Sequence, residues 1–251
     1  MEGKRKEWGN GEVSGEKGSQ YRFRDLKPEE YSRPDINPYL KLHREYGPPV
    51  LTASEAKAHR GRWSEAFGGR EAPIHVEIGP GNGFFLAGMA GKHPDQNWLG
   101  LEIRFKRVVL CAKKIQAAGV ENARIARYDA WFLEDLFGPG EIDCLYVNFP
   151  DPWMRERDEK KRLMGPAFAA WAVRSLKPGG LLRLKSDHGP NLDRLIAGFE
   201  SHPMEVLGRS DDVAAQGTPW PAEDDIITNY QSKFIAKGEP IHALLMHRQS
   251  D

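Results

Sequence analysis

Four short stretches place an acidic or amide side chain at the end of an apolar run, the first among glycines and the last among prolines. The first is Glu77-Ile78-Gly79-Pro80-Gly81-Asn82-Gly83. Its glycines permit a tight turn and let backbone approach a ligand closely. The spacing is G-x-G-x-G, whereas dinucleotide sites use G-x-G-x-x-G to aim a helix N-terminus at a pyrophosphate. The second is Glu102-Ile103, after Leu99-Gly100-Leu101. A carboxylate there can accept both hydroxyls of a ribose. The third is Asp129-Ala130, an acceptor beside a small residue, suited to the amino group of adenine. The fourth is Asn148-Phe149-Pro150-Asp151-Pro152-Trp153. Its prolines hold the backbone extended, which presents Asp151 and the flat face of Trp153.

Each stretch alone has a plainer explanation. Glycine-rich turns are common, a carboxylate at a strand end can be merely solvated, and Pro-Asp-Pro-Trp can be a structural turn over a core Trp. In this order, the first three describe an adenosyl site built from Glu77, Gly79, Gly81, Gly83, Glu102, Ile103, Asp129 and Ala130. The glycine spacing favours S-adenosylmethionine over NAD.

The elements that must position these residues follow from periodicity. Apolar runs at 74–79, 97–103, 123–128, 142–149, 181–187, 204–208 and 241–246 read as strands. Amphipathic stretches at 84–93, 104–119, 166–180 and 192–201 read as helices, the second closing on Gly119 and the third stopped by Lys-Pro-Gly-Gly. A short helix is expected over 53–67. Residues 28–49 hold five prolines and several tyrosines, and are expected as an extended lead-in. Strands alternating with helices imply a doubly wound, mostly parallel sheet. Ligands bind such sheets beyond the carboxyl ends of the strands, where the four stretches lie.

Composition bounds the remainder. The chain has 251 residues, with 36 Lys+Arg against 36 Asp+Glu. Hydrophobic content of 39% supports a core, so a wholly disordered chain is excluded. Residues 1–30 are rich in Gly, Glu, Lys and Arg and are expected as a flexible arm before a single domain at 31–251. No apolar run reaches membrane-span length, and the N-terminus lacks the apolar segment of a signal peptide. The two cysteines, Cys111 and Cys144, are expected as buried thiols, and the eight histidines show no metal-ligand spacing. A reducing cytoplasm and no metal are the expectations.

The neutral total is uneven. Residues 102–128 hold seven basic and two acidic residues, 155–185 nine and three, and 199–225 one and seven. That pattern is compatible with a basic, nucleic-acid-binding face around the fourth strand end.

The sequence resembles the bacterial tRNA (guanine-46-N7)-methyltransferases, the TrmB family. The likeness runs from about Gly61 to Leu245. It rests on Gly61-Arg62-Trp63, PIHVEIGPGNGFF (73–85), LGLEI (99–103), NFPDPWMRERDEKKRL (148–163), LKPGG (176–180), KSD (185–187) and ITNYQSKFIAKGEPI (227–241). The resemblance implies a Rossmann-like class I methyltransferase, a seven-stranded sheet with an antiparallel last strand. It implies cofactor contacts at Glu77, Glu102, Asp129 and Asp151, with Asn148 counted beside them and Asp151 in the catalytic position. It implies tRNA contacts at Arg155, across Arg157, Lys160, Lys161 and Arg162, at Asp187, and across Thr228, Asn229, Tyr230 and Gln231.

Three positions depart from the family pattern. Asp158 stands where His is more frequent, Met154-Arg155 where Pro-Lys or His-Lys is usual, and Gln231 where Glu is usual. Gln231 keeps an acceptor and loses a charge, which puts any carboxylate role at 231 in doubt. Trp153 is open to core packing or to stacking on a base. The chain is expected as a monomer or homodimer. Competing readings are an amino-methyltransferase on another substrate, an NAD-dependent oxidoreductase and a non-catalytic RNA-binding protein.

Overall fold

The computed structural model describes residues 37–150 and 163–250, together with Glu30, Arg33 and Asp35. The strands are β1 (Val50–Leu51), β2 (Ile74–Ile78), β3 (Asn97–Glu102), β4 (Ala123–Arg127), β5 (Ile142–Asn148), β6 (Leu176–Ser186), β7 (Met204–Ser210) and β8 (His242–Arg248). They form one eight-stranded sheet in the order β1-β4-β3-β2-β5-β6-β8-β7. β8 lies antiparallel to both of its neighbours, β6 and β7. The other pairings are parallel. The seven expected strands are all present, and the two-residue β1 adds an edge beside β4.

The helices are α1 (Tyr39–Glu45), α2 (Ala53–Ala58), α3 (Phe84–Lys92), α4 (Phe105–Ala118), α5 (Pro166–Ser175), α6 (Pro190–Phe199), α7 (Val213–Gln216) and α8 (Asn229–Lys237). They cover the sheet through two apolar layers. One joins α3 and α4 through Phe85, Leu86, Met89, Val108, Cys111 and Ile115. The other joins α2, α5 and α6 through Ala56, Phe168, Trp171, Leu192 and Phe199. Strands covered on both faces have no polar side to show, and all six residues of β3 are buried. Both cysteines are free and buried.

Local signals explain the boundaries. Thr52 and Glu55 form a reciprocal capping box at the start of α2. α4 ends at Gly119 with φ 64°, the left-handed stop its sequence announced. Gly83 has φ 78°, and a β-carbon there would lie 2.6 Å from Cys111 Sγ. A glycine is therefore what lets α3 begin against α4.

Three expectations need correction. The lead-in is not extended throughout: α1 occupies Tyr39–Glu45 and buries Leu40 and His43. The segment 53–67 is broken, because α2 ends at Ala58 and a separate 3₁₀ helix covers Trp63–Phe67. α5 ends at Ser175, and Leu176 already pairs with Ile142, with a register shift taking up the Pro-Gly-Gly that follows.

Candidate cofactor site and substrate face

The chain runs from β2 through β3 to β4 on one side, then returns to place β5 on the other side of β2. Beyond that switch point the strand ends open on a cavity of about 1000 Å³. This is at the upper end of the ~300–1,000 Å³ typical of small-molecule sites, so a second ligand group can share it. Glu77, Gly79, Gly81, Glu102, Ile103, Asp129, Ala130 and Asn148 all line it, as expected of the candidate adenosyl site.

Glu77 is the penultimate residue of β2 and is 2% exposed. Its Oε1 accepts from Asn148 Nδ2 at 2.9 Å, which ties β2 to β5. Its Oε2 is buried with no hydrogen-bond partner among the described residues. Burial pushes the carboxyl up to about 7, against the lowering by Asn148 and Lys185. Glu102 ends β3, and its Oε1 accepts the Arg104 amide at 2.9 Å. Burial raises this carboxyl too. Asp129 follows β4 and caps a 3₁₀ helix over Ala130–Asp135, its Oδ1 accepting from Trp131 N at 3.0 Å. Its Oδ2 is buried and has no partner among the described residues, and burial raises its pKa.

The loop after β2 turns through two left-handed glycines, Gly79 (φ 71°) and Gly81 (φ 57°), with open space where a β-carbon would stand. Gly83, expected in the same role, does not line the cavity and serves the α3–α4 contact instead.

The donor set fits S-adenosylmethionine. That molecule carries a sulfonium, an ammonium, an amino group and two ribose hydroxyls, all seeking acceptors or negative charge. Three buried carboxyl groups, two of them with an unused oxygen, supply those. Ile103, 41% exposed on the rim, offers an apolar surface for a flat ring.

The opposite wall holds Phe149, Pro150, Thr228, Asn229, Tyr230 and Lys233. Phe149 has φ 53°, a left-handed conformation rare for an aromatic residue, and it precedes Pro150. Its ring lies 4.9 Å from that of Tyr230 and 6.3 Å from that of Phe234. Thr228 caps α8 by accepting the Gln231 amide at 3.1 Å. Thr228, Asn229 and Tyr230 therefore gather at the cavity, whereas the side chain of Gln231 is buried and accepts from Lys185 Nζ at 2.9 Å. Asp187 stands just past the end of β6, half-buried and off the cavity lining.

Asp151, Arg155, Arg157, Lys160, Lys161 and Arg162, with Trp153 among them, lie outside the described residues. Pro150 and Leu163, the described residues on either side, both line the cavity.

Three further residues of the cavity wall lie outside the adenosyl site read from the sequence, two of them within its basic segment 102–128. Arg104, Arg107 and Trp131 line the cavity, Arg107 also donating to Asn82 Oδ1. Their places just inside strand–helix turns were the available signal. The charge segregation is also smaller in space than along the chain. Arg183 and Lys185 are buried against Asp224 and Asp225, so two basic residues of 155–185 are matched by two acidic residues of 199–225. Arg104, Lys106 and Lys113 of the α4 region remain exposed.

Among the described residues no helix is long and apolar enough to cross a membrane, and no three His, Cys, Asp or Glu side chains gather as a metal site.

A family profile described as "Putative methyltransferase" matches residues 71–244. A tRNA (guanine-N(7)-)-methyltransferase of Streptococcus equi subsp. zooepidemicus is 35% identical over 196 residues, 78% of this chain and 90% of that protein. Its counterpart in Streptococcus sanguinis is 36% identical over 203 residues, covering 81% and 91%. That of Bacillus licheniformis is 34% identical over 193 residues, covering 76% and 88%. Among solved structures, the 16S rRNA methyltransferase KamB matches with a TM-score of 0.53 at 12% identity, over 74% of this chain and 92% of that one. The antibiotic-resistance methyltransferase Kmr matches with a TM-score of 0.50 at 21% identity, over 74% and 92%. These two likenesses are of fold.

Proposed function

The chain belongs to the tRNA (guanine-N(7)-)-methyltransferase family, and we propose that the guanine it methylates is number 46, in the tRNA variable loop. It is an S-adenosylmethionine-dependent enzyme of the class I methyltransferase fold. The observation that carries the reading is the convergence of Glu77, Glu102 and Asp129 on one cavity whose far wall is the Phe149-Pro150 turn leading to Asp151.

When bound, S-adenosylmethionine supplies a methyl group made electrophilic by its sulfonium. Glu102 accepts the ribose hydroxyls, Asp129 the adenine amino group, and Ile103 and Ala130 border the ring. Glu77, fixed by Asn148, faces the cationic part of the ligand. On the substrate side, guanine N7 already has a free lone pair, so no strong base is needed. The chain must orient the base, exclude water and stabilise the positive charge that the purine gains. Asp151 holds the guanine N–H edge and offsets that charge. Thr228, Asn229 and Tyr230 border the base.

Phosphates are taken by Arg104, Lys106 and Arg107, and by Arg155, Arg157, Lys160, Lys161 and Arg162 beyond the active-site loop. Residues 31–251 act as one domain, with 1–30 as an arm towards tRNA. The cytoplasm, where tRNA is found, is the place of action.

The test is transfer of labelled methyl from S-adenosylmethionine to unmodified tRNA, followed by nucleoside analysis and mapping. The expected product is 7-methylguanosine at position 46. Label in N6-methyladenosine, or in no nucleoside, would overturn the reading.

A further inference from the structure

Lys185 is 1% exposed although it carries an ammonium, and none of the chemistry above uses it. Its Nζ donates to Asp225 Oδ1 at 2.7 Å, to Gln231 Oε1 at 2.9 Å and to the Ile226 carbonyl at 3.4 Å. Three donors meet three acceptors, and one carboxylate balances the charge. Burial pulls the lysine below its ordinary value, and Asp225 opposes that. Its carbonyl is engaged as well, accepting the Phe149 amide at 2.8 Å.

Both partners begin a wall of the substrate face. Phe149 starts the turn through Pro150, in a left-handed conformation that backbone preference alone would not choose. Gln231 lies in the first turn of α8, one residue past Tyr230. The two segments touch through the Phe149 and Tyr230 rings, and both residues line the cavity.

We propose that Lys185 is a positioning residue for methyl transfer, setting the start of α8 through its ammonium and the Phe149 turn through its carbonyl. Together these fix the aromatic wall beside which the target base is held. Gln231 is the neutral acceptor that completes the ammonium's partners. The inference rests on the reading of the cavity as a methyltransferase site. The competing account is a buried cation that only holds the fold together.

Lys185→Met removes the charge at similar length. Gln231→Leu removes one acceptor, leaves the ion pair with Asp225, and serves if the first variant does not fold. Three quantities are measured: methyl transfer to tRNA at saturating S-adenosylmethionine, cofactor binding by calorimetry, and amide hydrogen exchange across α8. The expected kcat loss is about 10–100-fold, as for misplacement of reacting groups. In Gln231→Leu, which keeps the Lys185 charge near Glu77, cofactor stoichiometry stays unchanged and affinity stays within about twofold, and in both variants exchange over 229–237 speeds up. Gln231→Glu, which restores an acceptor, recovers most of what Gln231→Leu loses. Unchanged turnover, or turnover falling only with the fraction of chains that bind cofactor, overturns the proposal. If the unaltered protein binds cofactor but methylates no tRNA, the functional reading fails instead. The exchange data then decide on positioning, and unchanged protection of α8 in both variants rejects it.

Discussion

Asn148 donates its side-chain amide to Glu77 Oε1 across 2.9 Å, so the end of β5 holds the buried carboxylate at the end of β2. Removing that donor leaves Glu77 without its neutral partner in a dry site. Asn148→Ala should weaken S-adenosylmethionine binding about 10-fold and cost roughly 1–3 kcal/mol of stability, the penalty for orphaning a buried acceptor. Calorimetry and urea titration check the two effects separately.

The pH behaviour of Glu77 follows from its carboxyl lying at about 7. The folded state binds this proton more tightly than the unfolded chain does. Its contribution to stability is therefore complete below the ordinary glutamate range and is lost as pH rises to about 7. The full effect is about 3 kcal/mol. A cationic ligand prefers the ionised form, so cofactor affinity should rise over the same range and then level off. Glu77→Gln should flatten both profiles, and a profile unaltered by it would exclude Glu77 as their source.

Glu102 and Asp129 present the acceptors assigned to ribose and adenine. A hydrogen bond to a charged group contributes about 1.5–3 kcal/mol, so Glu102→Ala or Asp129→Ala should reduce cofactor affinity about 10–100-fold. Affinity for tRNA in the absence of cofactor should change little, as filter binding would report.

Two glycines of one loop should respond differently. Gly83→Ala meets both a left-handed backbone and Cys111 Sγ, at a cost of roughly 2–5 kcal/mol. Gly81→Ala has open space and costs only the backbone term of roughly 1–2 kcal/mol, yet it lines the cavity. Urea midpoints should fall most for Gly83→Ala, and cofactor affinity of the folded protein most for Gly81→Ala.

Reversing the charges of Lys160, Lys161 and Arg162 should weaken tRNA binding and flatten its salt dependence. The log–log slope should fall by about 0.9 for each phosphate no longer neutralised. Cofactor affinity should stay the same. An unchanged salt slope would remove these residues from the tRNA face.

Much of this arrangement was legible because it depends on neighbours in sequence. The strand ends carrying Glu77, Glu102, Asp129 and Asn148, and the stop at Gly119, are local signals. α1 was hidden by the prolines flanking it, although Gly47 and Pro48 after Tyr46 mark a helix end. α8 was not read as a helix from the sequence, although Thr228 and Gly238 mark its ends, because its residues are mostly polar and its hold on the sheet comes from Lys185 beneath. The pairing of Lys185 with Asp225 joins positions 40 residues apart, which no local pattern records.

Phe149 shows what that arrangement means for variation. By backbone preference alone, glycine is the cheaper residue at φ 53°, and an aromatic there gives up about 1–2 kcal/mol. A library of substitutions at 149, sorted once for thermal resistance and once for turnover, should therefore rank its members differently. Glycine should lead the first ranking and ring-bearing residues the second.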